Sequence, residues 1–230
     1  MIERDFVNID NFLSEGIVKW SSPSNIALVK YWGKKNNQIP QNPSISFTLS
    51  KSLTTTSIEF KPKKNKANSI DFEFDGIKDH EFGQKIKLFI RSIEKYFNFL
   101  KNHDINIKSE NNFPHSSGIA SSASSMSALA SCLVDIEKIN SNEKDDSYYL
   151  KKKSFIARLG SGSASRSIEG PITLWGESKS FPGSSDLYAV NISQDVNQIF
   201  QDYQNSILII DPGVKKISLS LIHISEPTRH

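Results

Sequence analysis

Residues 111–130 read NNFPHSSGIASSASSMSALA, and the reading of the fold turns on them. A short strand-like run at 105–107 precedes the stretch, Pro114 and Gly118 break it into a loop, and small and apolar residues over 121–136 predict a closely packed helix. Strand, glycine-bearing loop and helix start therefore follow one another, with Ser121 and Ser122 at the first turn. Free backbone N–H groups and the positive end of the helix dipole favour an anion there, and small side chains let a phosphate approach closely. Serine hydroxyls can add hydrogen bonds or reach a Mg²⁺ ion. No G-x-x-x-x-G-K-[ST] pattern is present. The plainer alternative is a serine N-cap on an ordinary helix. His115, in the loop, has no partner that would make it catalytic. Cys132 falls on the apolar face of the helix and reads as core rather than nucleophile.

On the N-terminal side, residues 17–31 suggest a strand, a polar turn at 21–25 and a second apolar stretch. Residues 42–60 alternate between apolar and small polar, and the β-branched run over 53–60 is strand-like. A basic turn over 61–69 then predicts a hairpin, with 70–74 as its return strand. Phe82, Ile86, Phe89, Ile90, Ile93, Tyr96 and Phe97 recur at helical spacing within 80–100. On the C-terminal side, 143–159 is helical, 160–167 is rich in glycine and serine, and 172–175 and 207–210 are strand-like. Strands and helices without regular alternation predict an α+β fold.

Composition sets the bounds. The chain has 230 residues, 37% hydrophobic and 23% charged, as in soluble globular proteins. A net charge of +3 is too small to argue for nucleic acid or an acidic membrane surface, and the lysines do not interleave with aromatics along one face. One cysteine excludes an internal disulfide framework and a cysteine-based zinc site. No apolar run approaches a membrane span, and the N-terminus lacks the apolar stretch of a secretory signal. A reduced, cytoplasmic setting is expected. Serine is abundant, with 36 residues, eight of them between Ser109 and Ser127, which marks that stretch for attention.

Two further segments carry chemistry. Residues 160–166, GSGSASR, place Arg166 three positions after Ser163, and a guanidinium fork with nearby hydroxyls suits a carboxylate or phosphate. The alternative is a flexible loop with a surface arginine. Residues 23–35, PSNIALVKYWGKK, set Lys30, Lys34 and Lys35 beside Tyr31, Trp32 and Gly33, a pattern suited to a polyanion or to an exposed amphipathic strand end.

Together PSNIALVKYWGKK, NNFPHSSGIASSAS and ARLGSGSASRSIEG resemble, in order and spacing, the diphosphomevalonate decarboxylases of the GHMP kinase superfamily; NPSISFTLS also fits, and the resemblance runs over about 18–218. It implies a GHMP-type N-terminal domain (ribosomal protein S5 domain 2-like) over 1–185, with 186–218 opening a ferredoxin-like second domain. It also implies ATP-dependent decarboxylation of 5-diphosphomevalonate to isopentenyl diphosphate, with ATP and Mg²⁺. Tyr31, Trp32, Gly33 and Lys34 would hold the substrate diphosphate, with Lys30 close by. Gly118, Ser121 and Ser122 would cradle ATP phosphates, Ser122 also helping to place Mg²⁺. Ser161, Gly162, Ser163, Ala164, Ser165 and Arg166 would bind the carboxylate end of the substrate, Arg166 and Ser122 acting in catalysis. Ser165 stands where the family has cysteine. The family's catalytic aspartate is expected beyond residue 230, and neither Asp186 nor Asp211 fits it. The last twelve residues, LSLIHISEPTRH, resemble a translated adapter tail and are expected to be non-native. The implied partners are small molecules, not nucleic acid or membrane, in a homodimer. The rival readings are a small-molecule kinase of the superfamily that does not release CO₂, and a binding fragment without catalysis.

Overall fold

A computed structural model describes residues 1–64, 69–78, 80–114, 119–141 and 144–208. Strands β1 (Gly16–Val29), β4 (Ser44–Pro62), β5 (Ile70–Phe74), β6 (His103–Asn111), β7 (Ile172–Trp175) and β8 (Ala189–Asn191) form one six-stranded sheet. Two short strands, β2 (Lys34–Lys35) and β3 (Ile39–Pro40), pair separately. Helices α1 (His80–Ile93), α2 (Ser121–Ser141) and α3 (Asp146–Gly160) complete the α+β fold.

The spine is β4. Its alternating small and β-branched residues bury Thr54, Thr56, Ile58 and Phe60 on one face. Along one edge it pairs with β1 over nearly its whole length. Along the other it pairs first with β7, through residues 44–47, and then with β6, through residues 54–62. Residues 21–25, expected to turn, instead continue β1. The register shifts between Pro23 and Ser24, a bulge on an edge strand where a proline without an N–H is tolerated.

The expected hairpin between β4 and β5 is also replaced. β5 lies parallel to β6, which separates it from β4, and α1 connects the two. Parallel neighbours need such a crossover, and the apolar face of α1, with Ile86, Ile90 and Ile93 buried, supplies it. α1 stops at Ile93, and 3₁₀ turns at Glu94–Tyr96 and Asn98–Lys101 continue the expected helical run. α3 begins after Asp145, whose carboxylate accepts the Tyr148 N–H at 2.7 Å. Ile207 and Leu208 adopt no regular structure; the rest of the strand expected at 207–210, and the stretch to 230 with its expected tail, lie outside the described residues.

Serine determines how closely α2 approaches the sheet. Ser124 and Thr54 hydroxyls meet at 2.6 Å, and Ser127 donates to Ser22 at 3.1 Å. Ser124, Ser127 and Ser131 are fully buried, so much of the serine cluster forms a helix–sheet seam. Cys132 is buried in the same seam, its Sγ 3.3 Å from the Thr56 carbonyl oxygen, and burial pushes its thiol up to about 12. It is a core residue, as its place in the sequence predicts. On the opposite face of the sheet Ile172, Leu174 and Ile192 form a smaller cluster with Ile45 and Phe47, so every residue of β7 is covered on both sides.

Candidate active site

α3 ends at Gly160, and the chain enters a 3₁₀ turn, Gly162–Ser167, that Ser165 closes by donating to the Gly162 carbonyl at 2.8 Å. Ser154 fixes this turn from below, donating to the Ser165 carbonyl and accepting the Ala189 N–H, both at 2.8 Å. Ala164 and Ser165 are thus buried scaffold within the turn, while Ser161 and Ser163 stay partly open with their hydroxyls 3.3 Å apart.

Arg166 is 2% exposed. Its Nη1 donates to Ser44 Oγ at 2.8 Å, Nη2 reaches Asn25 Oδ1 at 3.4 Å, and Nε is buried without a partner. Among the described residues no carboxylate forms an ion pair with it. Burial pushes the guanidinium down to about 10. Its planar group lies 5.4 Å from the centre of the Tyr31 ring and 5.7 Å from that of Trp175, and the two rings meet edge-on at 5.0 Å.

The segment after β1 reaches the same place. Lys34 lies 5.5 Å from the Tyr31 ring centre, and a Cβ added at Gly162 would sit 2.8 Å from the Trp175 ring and 3.3 Å from Lys34 Cε. Lys34 is exposed along its side chain, but partial desolvation beside the rings, and then the charge of Arg166, hold its ammonium below the ordinary lysine value. Burial likewise raises Tyr31. Two cations thus share an aromatic wall, and among the described residues no carboxylate pairs with either. Lys30 and Trp32 are exposed; Asn42 secures their backbone, accepting the Trp32 N–H at 2.7 Å and donating to the Lys30 carbonyl at 3.0 Å. Gly33 takes φ +137°, a conformation that suits glycine, and accepts the Gln41 N–H.

The start of α2 joins this site through β1. Ser24 donates to the Ile119 carbonyl, and its neighbour Asn25 donates to the Ser163 carbonyl at 3.0 Å and to Ser167 Oγ at 2.7 Å. Ser122 is exposed and Ser121 half-buried at the first turn of α2. Gly118 and His115 lie outside the described residues.

Asn25, Ser44 and Trp175 escaped the sequence reading. By sequence Asn25 reads as part of a polar turn, and Ser44 and Trp175 as ordinary strand positions. The signal for two of them was their place in the family-like motifs, Asn25 in PSNIALVKYWGKK and Ser44 in NPSISFTLS; Trp175 offered only a large aromatic at a strand end.

Residues 22–189 match the family model described as diphosphomevalonate decarboxylase-like N-terminal domain. This chain belongs to that family. Among diphosphomevalonate decarboxylases, that of Ganoderma lucidum is 34% identical over 188 residues, covering 75% of this chain and 44% of its own length. The mevalonate diphosphate decarboxylase structure from Staphylococcus aureus is 34% identical with a TM-score of 0.61, covering 77% of this chain and 50% of that one. A further decarboxylase structure, in complex with MVAPP, AMPPCP and magnesium, is 30% identical with a TM-score of 0.61, covering 79% and 52%. The chain spans about half the length of the relatives it matches.

Proposed function

We propose that this chain is the substrate- and ATP-binding part of an ATP-dependent diphosphomevalonate decarboxylase of isoprenoid synthesis. The observation that carries the reading is Arg166, a buried cation without an acidic partner among the described residues, beside Lys34 and the open hydroxyls of Ser161 and Ser163. A desolvated guanidinium that spends its donors on neutral oxygens is complementary to an anion that arrives with the substrate. In this reading Arg166, Ser161 and Ser163 hold the substrate carboxylate. Tyr31 and Lys34 hold the diphosphate, with Lys30, Trp32 and Gly33 around them.

The 3-hydroxyl takes the γ-phosphoryl group of ATP, and loss of phosphate and CO₂ then yields isopentenyl diphosphate. Arg166 contributes by orienting the carboxylate against the leaving phosphate, so that the carbon–carbon bond breaks as phosphate departs. Ser121 and Ser122, with Gly118, are assigned to the ATP phosphates at the N-terminus of α2. Among the described residues no group of three acidic, histidine or cysteine side chains could hold a metal. The exposed Ser122 hydroxyl is a hard oxygen donor of the kind Mg²⁺ accepts, and the remaining ligands would be phosphate oxygens and water. Bound there, Mg²⁺ would neutralise phosphate charge.

The same reading has the N-terminal domain over 1–185 and a second domain opening over 186–218; β8, inside the latter span, pairs with β7 of the main sheet. It also has the whole protein as a cytoplasmic homodimer that engages neither nucleic acid nor membrane.

Calorimetric titration of this chain with diphosphomevalonate, with ADP and CO₂ release followed in a full-length protein that carries it, tests the proposal. Tighter binding of diphosphomevalonate than of mevalonate is expected, and equal or absent binding rejects it. ADP without CO₂ would mark a kinase instead.

A further inference from the structure

A second buried arginine lies outside the set just described. Arg158, in the last turn of α3, is fully buried and packs 5.1 Å from the Phe155 ring centre. Among the described residues it forms no ion pair. Its Nε donates to the Leu187 carbonyl at 2.8 Å, Nη1 donates to the Asn37 carbonyl, and Nη2 is buried without a partner. A cation held in a core on neutral carbonyls is costly, and an apolar side chain would fill the same space at lower cost. Packing alone therefore does not account for it.

Asn37 is the tip of the β2–β3 hairpin. That hairpin has only two paired positions, Lys34 with Pro40 and Lys35 with Ile39, too few to hold a turn by themselves. Its turn places two consecutive non-glycine residues in the left-handed region, Asn37 at φ 57° and Gln38 at φ 61°. Asparagine tolerates that conformation, but glutamine does so poorly, and such a turn persists only where its surroundings over-determine it. Gln38 adds a buried side-chain oxygen without a partner. The hairpin is thus held from outside, and the contact that does so at its tip comes from Arg158. Its first strand carries Lys34, whose Cε lies against Gly162 at the anion site.

We propose that Arg158 is a positioning residue: by clamping the Asn37 carbonyl of the β2–β3 hairpin to α3 and to Leu187, it holds Lys34 at the anion site. The consequence for ligand binding rests on the reading of that site given above, whereas the clamp itself does not.

Two variants of the chain, Arg158→Gln and Arg158→Lys, test it by hydrogen–deuterium exchange and by calorimetry with inorganic pyrophosphate as the probe. In Arg158→Gln, amide exchange over residues 34–41 is expected to rise about tenfold or more while α2 keeps its protection. Pyrophosphate binding is expected to weaken about tenfold. Arg158→Lys keeps a charge but loses the fork, and should fall between wild type and Arg158→Gln in both measurements. Unchanged exchange over the hairpin in the folded variants overturns the proposal. So does a rise spread evenly over α2, α3 and the hairpin, which would mark Arg158 as a packing residue only. If Arg158→Gln does not fold, the exchange pattern of Arg158→Lys decides. Wild-type protein that fails to bind pyrophosphate would reject the anion site itself, while hairpin exchange still decides the clamp.

Discussion

Arg166 donates from Nη1 to the Ser44 hydroxyl at 2.8 Å, and Ser44 passes the bond on, donating to the Val29 carbonyl at 2.6 Å. The guanidinium is therefore anchored to the backbone at the end of β1 through a neutral hydroxyl, and among the described residues no carboxylate compensates its charge. That relay separates what Arg166 does for stability from what it does for ligands.

Replacing Arg166 by methionine removes a desolvated charge that has no anionic partner among the described residues. Thermal stability should hold or rise, since apolar groups often replace buried charges without loss. Affinity for diphosphomevalonate should fall at least about tenfold, as expected for a lost charge-assisted bond. Thermal melts and calorimetry on the same preparation check both. A destabilised variant that still binds normally would contradict the assignment.

Gly162→Ala probes the contact between the two anion-binding segments. The added methyl would sit 2.8 Å from the Trp175 ring and 3.3 Å from Lys34 Cε, so ring and lysine must both move. Overpacking of this kind costs about 1–3 kcal/mol. Denaturant unfolding should show that loss, and pyrophosphate titration a weaker complex. A variant as stable and as tightly binding as wild type would mean that the contact has slack.

Lys34 gives the site a pH dependence of known sign. Its ammonium is held below the ordinary value of 10.5 by partial desolvation and by the neighbouring charge of Arg166. A bound anion favours the protonated form and raises that value again. The affinity Lys34 contributes is therefore complete below its unliganded pKa and is lost as pH rises through and beyond it. Pyrophosphate affinity, measured upward from about pH 7, should begin to fall before pH 10.5; Arg166, held down to about 10, loses charge over the same range, so the part due to Lys34 is read in Arg166→Gln. In Arg166→Gln the fall should move toward the ordinary lysine value, because the like charge is gone. An affinity flat to pH 10.5 would show that Lys34 takes no part.

Lys152 and Glu137 form the ion pair at the centre of the helix layer. Their charged atoms are 2.5 Å apart, the side chains are 0% and 3% exposed, and Lys152 also donates to the Tyr96 carbonyl at 3.1 Å. Burial raises the Glu137 carboxyl and lowers the Lys152 ammonium, and each partner offsets part of the other's shift. Lys152→Met alone strands a carboxylate and should cost about 3–5 kcal/mol. Adding Glu137→Leu should recover most of it. A double variant no better than the single, by denaturant titration, would refute the coupling.

The regular elements were legible because their patterns are periodic and strong. The alternation of Thr54, Thr56, Ile58 and Phe60 marks β4, and the spacing of Ile86, Ile90 and Ile93 marks α1. Partner choice was not legible: nothing local to residues 70–74 says that β6 will come between them and β4. That depends on α1 carrying the chain over the sheet. In the site, Arg166, Lys34 and Tyr31 stood out as cationic or aromatic residues beside glycines. Asn25 and Ser44 did not, because one polar residue in a strand carries no mark of a distant partner. The serines misled in part, since a hydroxyl that binds phosphate and one that seals a helix against a sheet are the same letter.

The division of β4 between two partners has a consequence for the order of folding. Its pairing with β1 is local in the chain, whereas its first residues meet β7 only after α1, α2 and α3 have been traversed. Loop closure over that distance is entropically slow, so the β1–β4 ribbon should form early and the β7 contact late. Arg166 reaches Ser44 across that late closure. Substitutions at Thr173, which pairs with Ser46, should then speed unfolding and leave the folding rate nearly unchanged, whereas those at Ile58 should slow folding. Equal effects on folding at both positions would reverse the order. On this view the anion-binding pocket is among the last parts of the molecule to assemble and the first to come apart.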